Sequence, residues 1–452
     1  MPCFLLVAAC GKDSAPAPDP APPASSSFSL NALKINGSFN GFTYFNINRS
    51  PVLKFSFLAP LDQSTVATSF ALKDKSGATI NYTVSFENGD STFVIQPTGL
   101  LNAITKHTAS VSTALKSKSG GNLLFRAEVN FTTQIDSSRK FPALSDNALL
   151  DLVQQQTFKY FWDFGHPVSG LARERNNGDN NLVTSGGSGF GLMAIITAIH
   201  RGFITREQGL ARMQTIVGFL KNTAQTFHGA YPHWLNGSTG VAIPFGTKDN
   251  GADLVETSYL VQGLLTCRQY FNGLGITETG LRNDINTICN RVEWNWFRNN
   301  NQNTLFWHWS PNYNWEMNMQ IRGWNECLIT YVLAASSTTF GIPRAVFDNG
   351  WKGAPGYVNG NNYYGFQLPL GTPLGGPLFF SHYSFLGINP NGLNDASANY
   401  ATQTTNHTLV NYNYCKANPK GYYGYSDSIW GLTASDIEGG YTASSPTNDV
   451  SV

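Results

Sequence analysis

Between residues 28 and 135 apolar and polar positions alternate with a period of two, which is typical of strands that bury one face. Clusters of Gly, Asn, Asp and Ser separate the alternating stretches, as in tight turns. The stretches are Val52–Phe57, Ile80–Phe86, Phe93–Ile95 and Ala127–Phe131. Short strands at this spacing predict an all-β sandwich, in which no catalytic constellation is visible and which would serve for spacing or docking.

From Leu144 onward the apolar positions follow the repeat of amphipathic helices. Thr205 is a suitable N-cap, and Gln208 three residues later completes a capping box. About nine helices are expected, with hardly any strand pattern, at residues 148–162, 189–200, 205–222, 253–271, 277–297, 323–335, 396–417 and 422–434, with a shorter one near 375–386. They predict an all-α domain over residues 144–452, in which helices paired around an axis form an α/α toroid with a pocket among its loops.

The composition is consistent with a large buried core. The chain has 452 residues, enough for two or three domains, of which 41% are hydrophobic and 13% charged. The formal net charge is +1 and no basic stripe is visible, which argues against nucleic acid as the main partner. The 10 Trp, 19 Tyr and 30 Phe residues serve either core packing or stacking on the apolar faces of sugars.

The N-terminal sequence predicts that the protein is exported and where it is then located. An apolar run from Phe4 to Ala9 precedes Cys10, and small residues before a cysteine resemble a bacterial lipobox. Residues 1–10 would then be a signal remnant with Cys10 lipidated, and the Pro-, Ala- and Ser-rich residues 11–27 a linker. This predicts a lipid anchor in the bacterial cell envelope, in the periplasm or at the outer-membrane surface. The run lacks the Lys or Arg that usually precedes such a stretch. The alternative is an apolar N-terminus without function.

The remaining cysteines give no sign of a metal site. Cys267, Cys289, Cys327 and Cys415 form no CxxC pair and show no Cys/His spacing typical of zinc. The first three fall within apolar helical patterns, which predicts buried thiols. Neither a metal nor a cofactor is expected.

Two acids, two arginines and a histidine crowd the loop after the first predicted helix. Asp163 or Glu174 could act as a general acid or base, with Arg173 or Arg175 keeping its neighbour ionised. His166 lies in the same segment. The alternative is a structural network of Arg and Glu side chains that braces the loop.

A glycine-rich stretch and an acidic helix start follow. Residues 184–191 read TSGGSGFG but lack the Lys-Ser/Thr ending of a phosphate loop, so the glycines indicate close packing or ligand approach. His233-Trp234 and then Asp249 precede the helix start at which Asp253 and Glu256 share one face. These acids either complement the helix dipole or, in the case of Glu256, point into a pocket.

A third group combines Trp, His and Glu in loops and at a helix start. Aromatic rings can stack on sugars while charged and polar groups bind hydroxyls. The group comprises Trp307, Glu316, Trp324, Glu326, His382, Tyr383 and Asp427.

Together these segments resemble one family. "YFWDFGHPVSGLARER", "TSGGSGFGLMAI", "YPHWLNGSTG", "DLVETSYLVQGLL", "RGWNECLITYVLAASS", "GPLFFSHYSFLG" and "YYGYSDSIWGLTASD" occur in order. They resemble the bacterial glucoamylase-like domain, which includes the endo-β-1,2-glucanases of glycoside hydrolase family 144. The resemblance covers Leu144 to the end, and "FSFLAPLDQSTV", "FVIQPTGLL" and "FRAEVNFTT" resemble a bacterial Ig-like domain.

The resemblance implies an (α/α)6 toroid with a sugar cleft and hydrolysis of a β-glucan, with β-1,2-glucan as the expected substrate. Two carboxyls would flank the scissile bond about 6.5–9.5 Å apart if the enzyme inverts configuration. The expected partner is an oligo- or polysaccharide, and a monomer is expected. The catalytic candidates are Glu174, Glu256, Glu326 and Asp163. The candidates for substrate binding are His166, Arg173, Trp234, Trp307, Glu316, Trp324, His382, Tyr383 and Asp427.

The sequence departs from the family at its end. The family's domain usually continues beyond "GYTASSPTND", whereas here Val450-Ser451-Val452 follows, so a C-terminally incomplete toroid is expected. Two alternatives to a hydrolase remain. One is a non-catalytic glycan-binding lipoprotein, inactive through truncation, and the other is a transglycosylating or phosphorolytic relative.

Overall fold

The structure, a computed structural model, describes residues 26–449. The chain divides into two compact units, Met1–Pro142 and Ala143–Val452. Cys10 and all but the last two residues of the predicted linker lie outside the described residues. Within residues 26–449, no helix has the length and apolar character needed to cross a bilayer.

The first unit is a β-sandwich of two four-stranded sheets. Its strands are β1 (Leu30–Ile35), β2 (Thr43–Ile47), β3 (Leu53–Phe57), β4 (Phe70–Asp74), β5 (Tyr82–Glu87), β6 (Thr92–Pro97), β7 (Lys106–Val111) and β8 (Ala127–Thr133). One sheet has the order β1-β3-β6-β5 and the other β2-β8-β7-β4. Side chains from both sheets, such as Phe55 and Val129, form one hydrophobic cluster.

The predicted strands all occur in this unit, and four others were not predicted. Alternate residues of β3 are buried, as its sequence pattern requires. In β7 the buried positions include a polar residue, His107, whose ring stacks on Phe131 at 5.2 Å between centroids. A buried histidine interrupts the apolar alternation, so the sequence pattern of β7 does not indicate a strand.

The second unit is built on seven helices of nine residues or more within the described part of the chain. They are α1 (Asp146–Trp162), α2 (Ser185–His200), α3 (Arg206–Asn222), α4 (Leu254–Tyr270), α5 (Ile276–Asn290), α6 (Leu328–Ser336) and α7 (Tyr400–Ala417). The capping box predicted at Thr205 is present, because Thr205 and Gln208 exchange side-chain and backbone hydrogen bonds.

Helices α2 and α4 contact each other through their backbones. A Cβ atom on Gly189 would lie 2.1 Å from the carbonyl oxygen of Tyr259, and a Cβ atom on Gly263 would lie 2.3 Å from that of Gly189. Only glycine permits such an approach. The glycine-rich stretch therefore continues into helix α2 and fixes the distance between two helices.

The expected helix at residues 422–434 was wrong. Gly424 and Gly431 have φ values of 98° and 109°, which a helix does not accommodate. Between them the Ser426 hydroxyl accepts hydrogen bonds from the backbone N–H groups of Ser428 and Ile429 and forms a turn. The chain continues into a hairpin of β18 (Ala434–Ile437) and β19 (Gly440–Ala443).

Other predicted helices differ in extent. Helix α6 begins at Leu328 rather than at residue 323, because Gly323 has a φ of 81°. Helix α5 ends at Asn290, seven residues before the predicted end. The short helix expected near residues 375–386 is a series of 3-10 turns, Pro373–Gly375, Leu378–Ser381 and Ser384–Leu386.

The expectation of hardly any strand in the second unit was also wrong, since short strand pairs connect the helices. Besides β18 and β19 they are β9 (Leu182–Thr184), β10 (Trp234–Asn236), β11 (Ala242–Ile243), β12 (Ala252–Asp253), β13 (Leu305–Phe306), β14 (His308–Trp309), β15 (Gln320–Ile321), β16 (Asn362–Tyr363) and β17 (Phe366–Gln367). Strands of two or three residues are too short for a period of two to be visible in the sequence. Two pairs matter for the site, since they align Trp234 with Thr184 and Asp253 with His308.

Candidate active site

One cavity of about 360 Å³ brings together three of the four predicted catalytic acids. It is lined by Glu174, Glu256 and Glu326, with the predicted binding residues Arg173, Trp307 and Tyr383. The rest of its wall consists of Tyr160, Ala172, Thr184, Gly187, Phe190, His233, Tyr259, Phe379, Ala434 and Tyr441. We call this cavity the cleft.

A second cavity of about 490 Å³ adjoins the cleft and shares Glu174, His233 and Tyr441 with it. Trp234, another predicted binding residue, lines this second cavity beside Phe245. A larger cavity of about 520 Å³ beside Cys415 contains none of the predicted catalytic acids.

Glu256 lies in the first turn of α4. Asp253 caps this helix, and its Oδ1 accepts a hydrogen bond of 2.9 Å from the Glu256 backbone N–H. A Cβ atom on Gly186 would lie only 2.0 Å from Oε2 of Glu256, so glycine leaves the space that the carboxyl occupies. Burial raises the pKa of Glu256 to about 7, although the neighbouring charge of His233 acts in the opposite direction.

Glu326 lies just before α6. Its backbone carbonyl accepts hydrogen bonds from the hydroxyls of Tyr259, at 3.3 Å, and Ser384, at 2.7 Å. Its Oε2 atom is buried and has no hydrogen-bond partner among the described residues. Burial raises the pKa of Glu326 to about 7. A buried carboxyl of this kind favours its protonated form near neutral pH and can donate that proton to a bound molecule.

Glu174 lies at the junction of the two cavities. Its Oε2 accepts a hydrogen bond of 3.3 Å from the indole N–H of Trp234, and its backbone carbonyl accepts one of 3.2 Å from the Tyr160 hydroxyl. Beside it, Nε of Arg173 is buried without a hydrogen-bond partner within the described part of the chain. Glu174 and Arg173 thus offer an acceptor and a donor at the cleft wall.

Two histidines and two aspartates form a buried network beneath Glu256. His233 Nδ1 lies 3.3 Å from Asp253 Oδ2, and His308 Nε2 lies 3.3 Å from Asp249 and 3.6 Å from Asp253. Burial opposes ionisation of Asp253, but hydrogen bonds from the two histidines outweigh it and hold the pKa of Asp253 below its usual value.

The ionised aspartate in turn favours charged histidines. Burial lowers the pKa of His233, but Asp253, Glu256 and Asp249 together raise it to about 9. The same balance raises the pKa of His308 above its usual value. For Asp249, burial and the charge of Asp253 raise the pKa to about 6.

This network also contains the group best placed to hold a cation. Ligand atoms of His233, Asp249 and Asp253 all lie within 4.8 Å of one another. The two carboxylates, however, already face two imidazoles that favour the protonated form, so their charge is neutralised inside the protein. A cation would have to displace those protons. We therefore interpret these residues as an ion-pair network and not as metal ligands.

Three predicted binding residues do not line the cleft, and their side chains contact other residues of the fold. Trp324 is only 4% exposed, and its indole N–H donates a hydrogen bond of 3.3 Å to Ser381 within the helical core. His166 is buried against Asn181 and orders its own loop. His382 lies 3.2 Å from the hydroxyl of Thr408 on α7.

Three predicted acids are exposed and lie outside the cleft. Asp163 is the C-cap residue of α1. Glu316 forms an ion pair with Lys248, and Asp427 accepts a hydrogen bond from the neighbouring Ser428 hydroxyl. The structure thus divides the predicted residues into a group that shares the two cavities and a group that does not.

Several cleft residues were not predicted. His233 belongs to the same sequence cluster as Trp234, but it was not among the predicted catalytic or binding residues. Tyr259 follows Glu256 by three residues, a spacing that places both on the same face of α4. Tyr441 belongs to β19, in a part of the chain whose hairpin was not expected, so no local signal indicated it.

Comparison with known proteins agrees with the division of the chain into two units. Residues 318–451 match a family model described as "Putative glucoamylase", and residues 40–133 match the bacterial Ig-like domain. The chain is 43% identical over 333 residues to an exo β-1,2-glucooligosaccharide sophorohydrolase (non-reducing end) of Parabacteroides distasonis. That match covers 70% of this chain and 46% of the relative, so the chain spans just under half of the curated relative's length.

Two solved structures are also similar. An endo-β-1,2-glucanase from Chitinophaga pinensis, in complex with sophorotriose and glucose, is 50% identical with a TM-score of 0.66, over 68% of this chain and 76% of that one. A β-1,2-glucanase from Parabacteroides distasonis is 34% identical with a TM-score of 0.67, over 95% of this chain and 60% of that one. The chain belongs to the glucoamylase-like glycoside hydrolases of the family 144 type, and a bacterial Ig-like domain precedes its glucoamylase-like domain.

Proposed function

We propose that the protein is a glycoside hydrolase that cleaves β-1,2-glucan. The observation that carries this proposal is the cleft, where three glutamates from distant parts of the sequence meet beside aromatic side chains. Hydrolysis of a glycosidic bond requires one carboxyl that donates a proton and one that activates water or attacks the sugar. Glutamates with aromatic walls provide these groups and a surface on which a glucosyl ring can stack.

Glu256 and Glu326 are the pair that we assign to proton transfer. Burial raises the pKa of each to about 7, so both exchange protons near neutral pH. One protonates the glycosidic oxygen and the other removes a proton from the attacking water, as in an inverting hydrolase. Glu174 binds sugar hydroxyls at the junction of the two cavities, and Arg173 binds them at the cleft wall.

The choice of β-1,2-glucan rests on the relatives. The two β-1,2-glucanases and the sophorohydrolase are named for this linkage, and one of them holds sophorotriose and glucose. The cleft and the cavity beside it, about 360 and 490 Å³, together offer room for more than one glucosyl unit. Trp234, Trp307 and Tyr441 supply stacking surfaces along this path.

The decisive experiment incubates the purified protein with linear β-1,2-glucan and, separately, with starch, and follows reducing ends. We expect release from β-1,2-glucan and none from starch. Absence of release from both, by protein whose circular dichroism shows folded helices, would contradict the hydrolase proposal. Binding of β-1,2-glucan without turnover, measured by calorimetry, would then identify a glycan-binding protein.

Two variants separate the roles of the pair. Glu256→Gln and Glu326→Gln should each abolish hydrolysis of the polymer. The variant that has lost the acid should retain activity on an aryl sophoroside, because a good leaving group needs no proton. The variant that has lost the base should be rescued by azide, a nucleophile that needs no deprotonation. The anomeric configuration of the first product, followed by NMR, tests inversion.

The arrangement of the helices supports an α/α toroid. Helices α2, α4 and α6 contact one another in sequence, while α3 and α5 contact each other and pack against α2 and α4. Alternation of this kind is what inner and outer rings of paired helices produce. A crystal structure that shows these helices in any other order would contradict this assignment.

The location of the protein is a proposal from the sequence. Cys10 follows an apolar run with small residues, as in exported lipoproteins, and the linker after it would separate the enzyme from a membrane. Incorporation of radiolabelled palmitate, abolished by Cys10→Ala, would test the anchor. Size-exclusion chromatography with light scattering would test the expected monomer.

A further inference from the structure

We propose that His233 is a positioning residue for Glu256: its ring, fixed by the buried carboxylate of Asp253, stands beside Glu256 in the cleft wall as a cationic partner of that carboxyl. Its consequence for turnover rests on the function proposed above. The charge relationship itself does not depend on turnover: it is argued from the contact of His233 with Asp253 and from the lining of the cleft by both His233 and Glu256.

Asp253 connects the two residues physically. One of its oxygens, Oδ1, accepts the backbone N–H of Glu256, and the other, Oδ2, lies 3.3 Å from Nδ1 of His233. The side chain of Asp253 is 1% exposed, so water does not compete for either oxygen. Asp253 therefore holds the ring of His233 at a fixed position relative to the first turn of α4.

The ring of His233 is held from its other side as well. It packs on Phe245 with centroids 4.2 Å apart and meets Trp234 edge-on at 5.8 Å. Its backbone carbonyl accepts a hydrogen bond of 3.1 Å from the Ser185 N–H at the start of α2. The side chain remains 22% exposed and lines both cavities. His233 thus presents a fixed face to bound substrate.

The charged groups around His233 are mostly acidic. Asp253 and Glu256 face it from the start of α4, Asp249 from the preceding loop, and Glu174 across the shared cavity wall. The cations nearby are His308 on β14, Arg173 on the cleft wall and Arg175, which lines the second cavity and is paired with Asp436. Tyr441 of β19 is a further titratable group. The acids outweigh the cations, and a proton on His233 is favoured.

The surroundings of Glu256 raise its pKa and so, on balance, favour its neutral form, whereas those of His233 favour the charged form. Asp253 and Glu174 favour its protonated form, as does burial, while the Gly186 N–H and the charge of His233 favour the carboxylate. The other titratable groups around it are Tyr259, Tyr383, Tyr441, Glu326 and Cys327. His233 is the cation that acts most strongly on Glu256, and its removal leaves the Gly186 N–H to oppose burial and the two acids.

The test measures the titration of Glu256 without relying on activity. Full-length protein labelled with ¹³C at the glutamate carboxyl is titrated by NMR, and the Glu256 resonance is assigned by its loss in Glu256→Gln. In His233→Gln, which can still donate a hydrogen bond to Asp253, we expect the midpoint to move about one pH unit upward. An unchanged or lower midpoint would overturn the proposal.

A second variant and a control separate charge from packing. His233→Phe retains a flat ring against Phe245 and should shift the midpoint in the same direction. His228→Gln removes a histidine that faces Glu293 at 3.0 Å outside the cleft, and the Glu256 midpoint should not move. A shift in His228→Gln as large as in His233→Gln would also overturn the proposal.

The functional counterpart is the pH dependence of kcat/KM on β-1,2-glucan. In His233→Gln the limb governed by Glu256 should move to higher pH by the same amount as the NMR midpoint, while the other limb stays in place. A lower rate with both limbs unmoved would show a structural role only and would contradict the proposal. If the wild type releases no sugar, the proposed function fails, whereas the NMR result still decides the role of His233.

Discussion

The Oε2 atom of Glu256 occupies the space that a Cβ atom on Gly186 would need, since the two would be 2.0 Å apart. Where the start of α2 contacts the first turn of α4, the Glu256 carboxyl of α4 therefore packs against the backbone of Gly186 in α2. The position of Glu256 in the cleft depends on the lack of a side chain at Gly186.

Gly186→Ala should displace the Glu256 carboxyl and lower kcat by about 100-fold, the loss typical of a reacting group moved by roughly 1 Å. The helix itself tolerates alanine, so the melting temperature should fall little. The matched control is Gly218→Ala in α3, where a Cβ atom meets no described heavy atom within 4 Å. Full loss of activity in the control as well would contradict this explanation.

Glu326 should lower the stability of the protein at alkaline pH. Its folded-state pKa, about 7, lies above the usual value of 4.5, so its favourable contribution is complete below the usual value and disappears as pH rises through about 7. Above that pH the ionised carboxylate, buried and with Oε2 lacking a partner among the described residues, costs about 3 kcal/mol.

Glu326→Gln should therefore melt at a higher temperature than the wild type at pH about 8, and the difference should shrink at pH about 5. Differential scanning calorimetry at both pH values measures it. Glu316→Gln, which removes an exposed glutamate paired with Lys248, is the control and should show no such trend. A stability difference for Glu326→Gln that grows toward acid pH would have the wrong sign.

Chelation should leave the protein unchanged. Because the imidazoles of His233 and His308 face the carboxylates of Asp253 and Asp249, prolonged dialysis against EDTA should alter neither the melting temperature nor kcat/KM. Elemental analysis of the purified protein provides an independent check. Loss of activity that one divalent cation restores would show instead that His233, Asp249 and Asp253 are metal ligands.

Two tryptophans should respond to substitution in different ways. Trp324→Ala removes a buried ring and should lower the free energy of unfolding by about 3–5 kcal/mol, with KM unchanged in the protein that still folds. Trp234→Ala removes a ring that lines the second cavity and donates to Glu174. It should raise KM about tenfold, the effect of roughly 1.4 kcal/mol, and change stability less.

Unfolding in urea and kinetics on β-1,2-glucan measure both effects. If Trp324→Ala raises KM while stability is preserved, the indole of Trp324 contacts substrate after all.

The sequence was informative where chemistry and local pattern coincide. Glu256 and Glu326 lie at helix starts inside long motifs, and both reach the cleft. Trp324 lies in the same motif as Glu326, but a tryptophan before a helix can face the core or a cavity equally well, and here it faces the core. Residue type and position alone cannot distinguish these two orientations.

The part of the site and fold that the sequence did not predict depends on contacts between residues far apart in the chain and on backbone angles. His233, Asp253 and His308 are separated by 20 and 55 residues, and only the pairing of β12 with β14 brings the last two together. Likewise, Gly424 and Gly431 fit a helical pattern by spacing, yet their backbone angles turn the chain into the loop before Tyr441. Neither effect leaves a periodic signal.

The backbone contact between Gly189 and Gly263 affects which substitutions the core of such a protein can accept during evolution. Because main-chain atoms determine how closely α2 and α4 approach, the separation between Gly186 and Glu256 does not depend on which apolar side chains fill the surrounding core. Those side chains can therefore be substituted many times while the Glu256 carboxyl stays in the same position. A laboratory library that randomises the core but spares these glycines should therefore yield variants that differ widely in stability and little in turnover.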